Sequence, residues 1–408
     1  MKLLFLTDNF PPESNAPASR TYEHCIEWVK KGIDVTVITC NPNFPFGKTY
    51  EGYKNKLYQT EEIDGIKVIR VWSYMTENKG AIKRILDYSS YAIMAFFAGL
   101  FIKTDLIVAT SPQLFTALGG CVLGKIKRKP WIFELRDLWP EGIKDTGAIK
   151  NKKILDFLTK MELCLYKKST YIIAVTKGLK ENLVSRGISP LKIDIVTNGA
   201  NLKLFKAREK NKNTLNTLGL NDKFIFGYIG THGLAHGLEF IVDSIREIKD
   251  KRIHFLFIGT GAKKEATVAL ARKLGLNNIT FLDPVSKNEV VDYLSIIDVA
   301  LVPLTKTDIH ASLIPSKIFE SASMRKPILL GVEGEAREIV EQHNAGIAFE
   351  PENKKEFLSG ITKLADDHLL YETLQKGCDA LADTFSRKNL AMKMLDILKD
   401  IAGKSNDR

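Results

Sequence analysis

The residues best equipped for chemistry lie in three stretches of the second half of this 408-residue chain. YIGTHGLAHGLE (228–239) leaves an apolar run through Gly230, Gly233 and Gly237 and enters a helical pattern. Amides around Gly230, Thr231, His232 and Gly233 can there approach a phosphate closely, a helix dipole favours its charge, and His236 stands ready as a further donor. FIGTGAKK (257–264) repeats the logic with Gly259 and Gly261. Turns that leave successive strands of one parallel sheet open on its carboxyl edge, where ligands of such sheets bind. The third stretch is SLIPSKIFESA (312–322). Pro315 and Ser316 are helix-start residues that leave nearby amides free for an anion, and Lys317 adds a full charge. Glu320, about one helical turn on, is placed to hold a vicinal diol such as a ribose. The plain alternatives are two unliganded tight turns and a solvated glutamate.

In the first half, FELRDLWPEG (133–142) sets Arg136, Asp137, Trp139 and Glu141 directly after an apolar run. Ionisable groups clustered at a strand end suit catalysis, and a surface ion-pair network is the alternative. The proline-rich loop 8–20, with Asn15 and Arg20, and the short exit ATSPQ (109–113), with Ser111, leave strands on the same edge and suit acceptor binding. Metal chemistry is not expected. His232, His236, His254 and His310 form no HxH or HExxH pattern, and no DxD pair is available to hold a divalent ion on a diphosphate. Helix termini and cations would have to neutralise that charge instead. Neither a GxxxxGK[ST] loop nor a GxSxG elbow occurs.

These residues need a scaffold, and the apolar pattern supplies one. Short runs at 2–6, 33–39, 66–71, 106–109, 131–135, 171–175 and 193–197 predict strands, with helices over 20–31, 155–167 and 178–186. The rhythm recurs with strands at 224–229, 253–258, 279–282, 299–302 and 327–330 and helices at 238–249, 263–274, 287–297 and 316–323. This is α/β architecture with parallel sheets, twice over. An Asn-Gly turn at 198–199 and the polar stretch 206–216 mark the boundary. The expected domains are 1–197 and 198–386, with 387–408 a helix able to cross back to the first.

Composition bounds the rest. The start, MKLLFLTDNFPP, reads as a buried strand rather than a secretory signal. Five scattered cysteines fit reduced thiols in the cytosol. Net charge is +11, and residues 1–200 carry 29 basic against 20 acidic side chains where 201–408 carry 30 against 28. A basic first half suits an anionic partner or a merely solvated lysine-rich surface. The run YAIMAFFAGLFI (91–102), flanked by Lys83, Arg84 and Lys103, falls short of the roughly 20 residues a bilayer span needs. It is a buried crossover helix or an interfacial one.

The ordered series NFPPE, SRTYEH, GIDVTVIT, ATSP, ELRDLWPE, TNGANLKLF, YIGTHGLAHGLE, LFIGTGA, DVALVPL and IPSKIFE resembles glycosyltransferase family 4, and within it the WbuB-like subgroup of proposed N-acetyl-L-fucosamine transferases. The resemblance spans about residues 1–350. It implies a GT-B fold, two facing Rossmann-like domains across a cleft, with acceptor in the first and nucleotide sugar in the second. It also implies a retaining, metal-independent transfer with no cofactor, from a UDP-linked sugar to a lipid-diphosphate-linked saccharide on the cytoplasmic face of the inner membrane. Glu320 matches the ribose-binding glutamate; Asp137, Arg136 and Glu141 are the expected catalytic group. Three departures stand out: Thr231 and His236 replace an arginine and a lysine, Ser312 replaces a glutamate, and Asn15-Ala16-Pro17 replaces paired glycines. Two rivals are a nucleotide-sugar 2-epimerase on the same fold and a non-catalytic anion or nucleic-acid binder. Nucleic acid is not expected, because aromatic platforms and reading motifs are absent from the sequence.

Overall fold

The computed structural model describes residues 1–13, 15–44, 46–76, 81–111, 113–138 and 151–406. The chain divides into two units, one of Met1–Thr197 with Arg387–Arg408 and one of Asn198–Ser386. In the first, β1 (Lys2–Leu6), β2 (Asp34–Cys40), β3 (Tyr58–Ile63), β4 (Ile66–Val71), β5 (Leu106–Thr110), β6 (Trp131–Leu135), β7 (Tyr171–Ala174) and β8 (Ile193–Ile195) form one sheet. Its order is β3-β4-β2-β1-β5-β6-β7-β8, parallel apart from β3. Between the strands run α1 (Ala16–Lys30), α2 (Ala81–Leu100), α3 (Leu114–Lys127), α4 (Lys152–Lys168) and α5 (Lys177–Ser185). In the second unit, β9 (Phe224–Ile229), β10 (Ile253–Ile258), β11 (Ile279–Leu282), β12 (Val299–Pro303), β13 (Ile328–Gly331) and β14 (Gly346–Ala348) are all parallel, in the order β11-β10-β9-β12-β13-β14. Its helices are α6 (Lys212–Leu218), α7 (Leu238–Ile245), α8 (Lys264–Lys273), α9 (Lys287–Ile296), α10 (Asp308–Ala311), α11 (Lys317–Ser323), α12 (Glu335–Gln342), α13 (Lys354–Asp366) and α14 (His368–Thr384); α15 (Arg387–Asn406) belongs to the first unit.

Both faces of each sheet are covered, which is why the central strands read as unbroken apolar runs. In the first unit α2, α3, α4 and α5 cover one face. On the other, Trp28 of α1 packs with Leu390, Met394 and Leu398 of α15, and its indole N–H donates to Ala391 O at 2.8 Å. α1 starts at Ala16, ahead of the predicted start at 20, because Asn15 caps it: the Asn15 Oδ1 accepts from Ala18 N at 2.9 Å and Pro17 suits the first turn. β3 was not legible as a strand. It is an edge strand whose side chains alternate between exposed and half-buried, so no continuous apolar run marks it.

β8 ends at Ile195 rather than 197, and the reason is Arg20. This side chain is fully buried; its Nε donates to Glu134 Oε1 at 2.9 Å, and its two terminal nitrogens donate to Thr197 O at 2.6 Å and Val196 O at 2.8 Å. One guanidinium thus ties α1, β6 and the end of β8 together. The expectation of Arg20 as an acceptor ligand is corrected: its donors are spent inside the fold. Arg20→Ala would leave the Glu134 carboxylate buried without its ion-pair partner, and breaking such a pair costs about 3–5 kcal/mol. Urea denaturation should show that loss, and a change under about 1 kcal/mol would remove Arg20 from this structural role.

Candidate active site

In the second unit the strand order reverses between β9 and β12, whose connections leave to opposite sides, so the crevice of a doubly wound sheet opens beyond their carboxyl ends. Thr305 N donates to Ala235 O at 2.9 Å and holds the two outgoing loops together there. The first loop differs from expectation. After β9 the chain runs through a 3-10 turn, Leu234–His236, and the helix begins only at Leu238. The α7 dipole therefore starts past the glycines. The second glycine turn is a buttress: a Cβ on Gly259 (φ +141°) would sit 1.9 Å from Gly230 O, while His232 N donates to Thr260 O and Lys263 N to His232 O. Glycine at 259, and beside it Gly261 against His232 O, is required by that contact whether or not a phosphate binds there.

Lys317 opens α11, and its Nζ lies 3.9 Å from the centre of the Tyr228 ring. Gly230 makes room for it, since a Cβ there would be 2.9 Å from the same atom. No ion pair engages this ammonium among the described residues; Glu320, on the same helix, is the carboxylate that acts on it. Burial pushes the Lys317 ammonium down to about 7, with Glu320 opposing. The Ser316 and Lys317 amides make no backbone hydrogen bond among the described residues, and Pro315 O and Ser316 O accept the next ones. With only seven residues α11 has a weak dipole, so the lysine carries most of the attraction for an anion. Ser312 and Thr231 lie on the two loops, Thr231 exposed with its carbonyl accepting from Tyr228 Oη at 2.5 Å.

The two histidines part company. His232 has zero exposure, its ring lies among Tyr228 and Phe257, and neither ring nitrogen has a partner. Burial, then the charges of Lys264 and Lys317, lowers it to about 4. Its side chain cannot reach a ligand, which corrects the donor-binding expectation. His236 is half-buried at the edge of the Tyr228 ring, with Nδ1 unpartnered, and is lowered to about 4 by burial and then by Lys317. Tyr228 is the shared platform. It was passed over in the sequence because an aromatic in a strand reads as core.

The first unit has its own reversal, between β1 and β5, and a cavity of about 220 Å³ sits there. Gln113 Nε2 bridges the two strand exits by donating to Asp8 Oδ2 at 3.0 Å, while Asp8 Oδ1 is buried without a partner. Burial, reinforced by Asp87 and Glu13, pushes the Asp8 carboxyl up to about 8, and burial lifts Asp87 to about 7. Asn15, Asn43, Arg84 and Tyr88 complete the lining. Asn15 donates to Asn9 Oδ1 at 2.7 Å, so of the acceptor residues expected it is the one at the cavity. Asp8 and Asp87 were missed because a lone aspartate, one after a strand and the other within α2, carries no spacing signal. Ser111 is corrected: it is buried and its hydroxyl accepts from Arg136 N at 2.8 Å, a link between β5 and β6. Arg136 is half-buried, lowered to about 10 by burial against the pull of Glu134, and donates to Pro17 O at 3.3 Å; Asp137 is exposed beside it. Glu141 and Trp139 lie outside the described residues. Among the described residues no three His, Cys, Asp or Glu side chains gather as a metal set.

Two doubly wound α/β units in one chain make the GT-B fold. Residues 18–204 match the family model Glycosyltransferase Family 4 and residues 223–367 match Glycosyl transferases group 1, so the chain carries both glycosyltransferase domains. It is 25% identical over 374 residues to WcaI of Escherichia coli (strain K12), named for colanic acid biosynthesis, covering 88% of this chain and 91% of that protein. The fold is that of sucrose-phosphate synthase from Thermosynechococcus elongatus (TM-score 0.78, 15% identity, 99% of each chain). It is also that of Anabaena HepE in complex with UDP-glucose (TM-score 0.71, 16% identity, 98% of this chain and 100% of that one).

Two outcomes follow from the titrating groups. An anion held at Lys317 would raise its value from about 7, so affinity for a diphosphate at that site should fall as pH climbs above about 7. Calorimetry in buffers of different ionisation enthalpy should then record proton uptake on UDP binding near pH 8, absent in Lys317→Met; no uptake in the wild type would rule the assignment out. Asp8 ionises near 8 in the fold against an ordinary 3.8, so the wild type is progressively penalised as pH rises from about 4 to about 8. Asp8→Asn should therefore gain melting temperature across that window and little below it, and a constant difference would contradict the buried carboxyl.

Proposed function

We propose that the chain transfers a hexosyl or aminodeoxyhexosyl group, such as N-acetyl-L-fucosamine, from a UDP-linked donor to a lipid-diphosphate-linked saccharide. The setting is assembly of a bacterial surface polysaccharide at the cytoplasmic face of the membrane, with retention of configuration and no metal. The observation that carries this reading is Lys317, a partly buried ammonium without an ion pair among the described residues, poised over Tyr228 at the second unit's switch point. HepE, of the same fold, is known with UDP and with UDP-glucose, and the name of WcaI supports the polysaccharide setting.

In the reaction the bond from the anomeric carbon to the donor's phosphate oxygen breaks with its electron pair, and the acceptor oxygen bonds to the same carbon. The acceptor's proton passes to the leaving phosphate. Lys317, His236 and the amides at Gly233 and Ser316 stabilise the charge developing on the diphosphate, which is where preorganised donors lower a barrier most. Glu320 holds the ribose. The first unit's cavity takes the acceptor sugar: its carboxyl, amide and aromatic lining suits hydroxyls, and Asp8, protonated at neutral pH, donates a hydrogen bond. Asp137 positions the acceptor hydroxyl and Arg136, held by Ser111 and Pro17, orients it.

Steady-state assays with UDP-sugars and a lipid-linked acceptor test the reading. Lys317→Ala and Glu320→Ala should each lower kcat/KM about a hundredfold at unchanged melting temperature. EDTA should leave the wild-type rate unaltered. Wild-type turnover in both variants would remove the site, and loss of turnover with EDTA would remove the metal-free mechanism. Epimerised UDP-sugar formed without acceptor would favour the epimerase.

A further inference from the structure

A second cavity, of about 990 Å³, lies in the first unit between α3 and α4, on the outer side of the sheet's helical layer and remote from the residues assigned above. Its walls are Leu118 and Val122 of α3 facing Phe157 and Met161 of α4, with Trp131 among the lining. Around it stand Lys125, Arg128, Lys129, Lys160 and Lys168, and no acidic side chain lines it among the described residues. Lys168 and Lys125 both act electrostatically on the Cys121 thiol within it, which puts their charge over the groove itself.

The apolar character continues outward. Ile126 is 56% exposed and Phe157 64%. On α2, which packs against α3, Ile93 and Phe97 present one exposed stripe that runs on to Phe101, 86% exposed just past the helix end. Scattered apolar residues on a surface need no explanation, but large exposed ones recurring on three neighbouring helices do. Cations around an apolar groove fit one chemistry, an anionic head with a hydrocarbon tail. No helix of the described residues is long and apolar enough to cross a membrane, so contact through this face is interfacial.

The geometry points to an anionic phospholipid as the occupant: the α2–α3–α4 face lies on an anionic bilayer, with one acyl chain in the groove and its phosphate among Lys125, Lys129 and Lys168. This deepens the proposed membrane-side acceptor but stands on its own residues, so its failure would leave donor binding untouched. Flotation with phosphatidylcholine vesicles, with or without phosphatidylglycerol, is the test. The wild type should float only with the anionic vesicles and release as salt rises. Lys125→Gln with Lys129→Gln should weaken partition about thirtyfold, and Val122→Ser with Phe157→Ser about tenfold or more, while UDP affinity stays at wild type. Brominated phosphatidylglycerol should quench Trp131 fluorescence in the wild type, with Trp131→Phe showing the lost component. Equal flotation with both vesicle types, wild-type flotation of the variants, no quenching at Trp131, or a concentration-dependent dimer closing this face would each overturn the proposal.

Discussion

Both units obey one topological constraint. In a parallel sheet wound outward in two directions, the two central strands send their connections apart, and nothing in the winding fills the gap beyond their ends. Here that gap falls between β1 and β5 in one unit and between β9 and β12 in the other. Residues that leave those four strands are the ones the fold cannot avoid exposing to a ligand. Asp8, Gln113, Gly230 and, after the longer exit from β12, Lys317 occupy those exits. The remaining elements serve to keep the exits in place: Arg20 by cross-linking α1, β6 and β8, and the Gly259 turn by pressing on the Gly230 backbone.

Each switch point also holds a group that its surroundings keep near neutrality. Lys317 loses solvent and regains part of the deficit from the Tyr228 face, while Asp8 is buried with one oxygen unpartnered. Desolvation disfavours the charged form of both. A group in that condition responds strongly to a partner, because the partner restores what burial removed. Such shifts recur in structural networks as well as at functional sites, and here both coincide with the topological gaps.

The fold was legible to the extent that burial is two-sided. β1, β6, β9 and β10 carry largely apolar, buried runs and their bounds follow from the residues alone. β3, wet on one face, and the three-residue β14 leave no such trace. At the site, Lys317 stands out in the residues as a charge at a helix start and the Gly230 loop as glycines leaving a strand. Arg20, Ser111 and His232 misled for a shared reason: polarity near a strand exit signals either a ligand or a buried partner, and only the contacts tell which. Asp8 and Tyr228 had no local signature, since what distinguishes them is a neighbour distant in sequence, Gln113 for one and Lys317 for the other.

The departures at 231 and 236 acquire a physical sense from this geometry. Two full cations near Lys317 would further disfavour the charged form of that already desolvated ammonium. Thr231 brings no charge, and His236 stays neutral because burial and Lys317 both act against its protonation. With Lys317 at about 7 the empty site is only partly charged near neutral pH, and an anion bound there would draw further proton occupancy onto the lysine. A site built in this way depends on the desolvation of one ammonium rather than on the number of cations. Gly230, which leaves room for the lysine, and Tyr228, whose ring faces it, thereby help to set its strength.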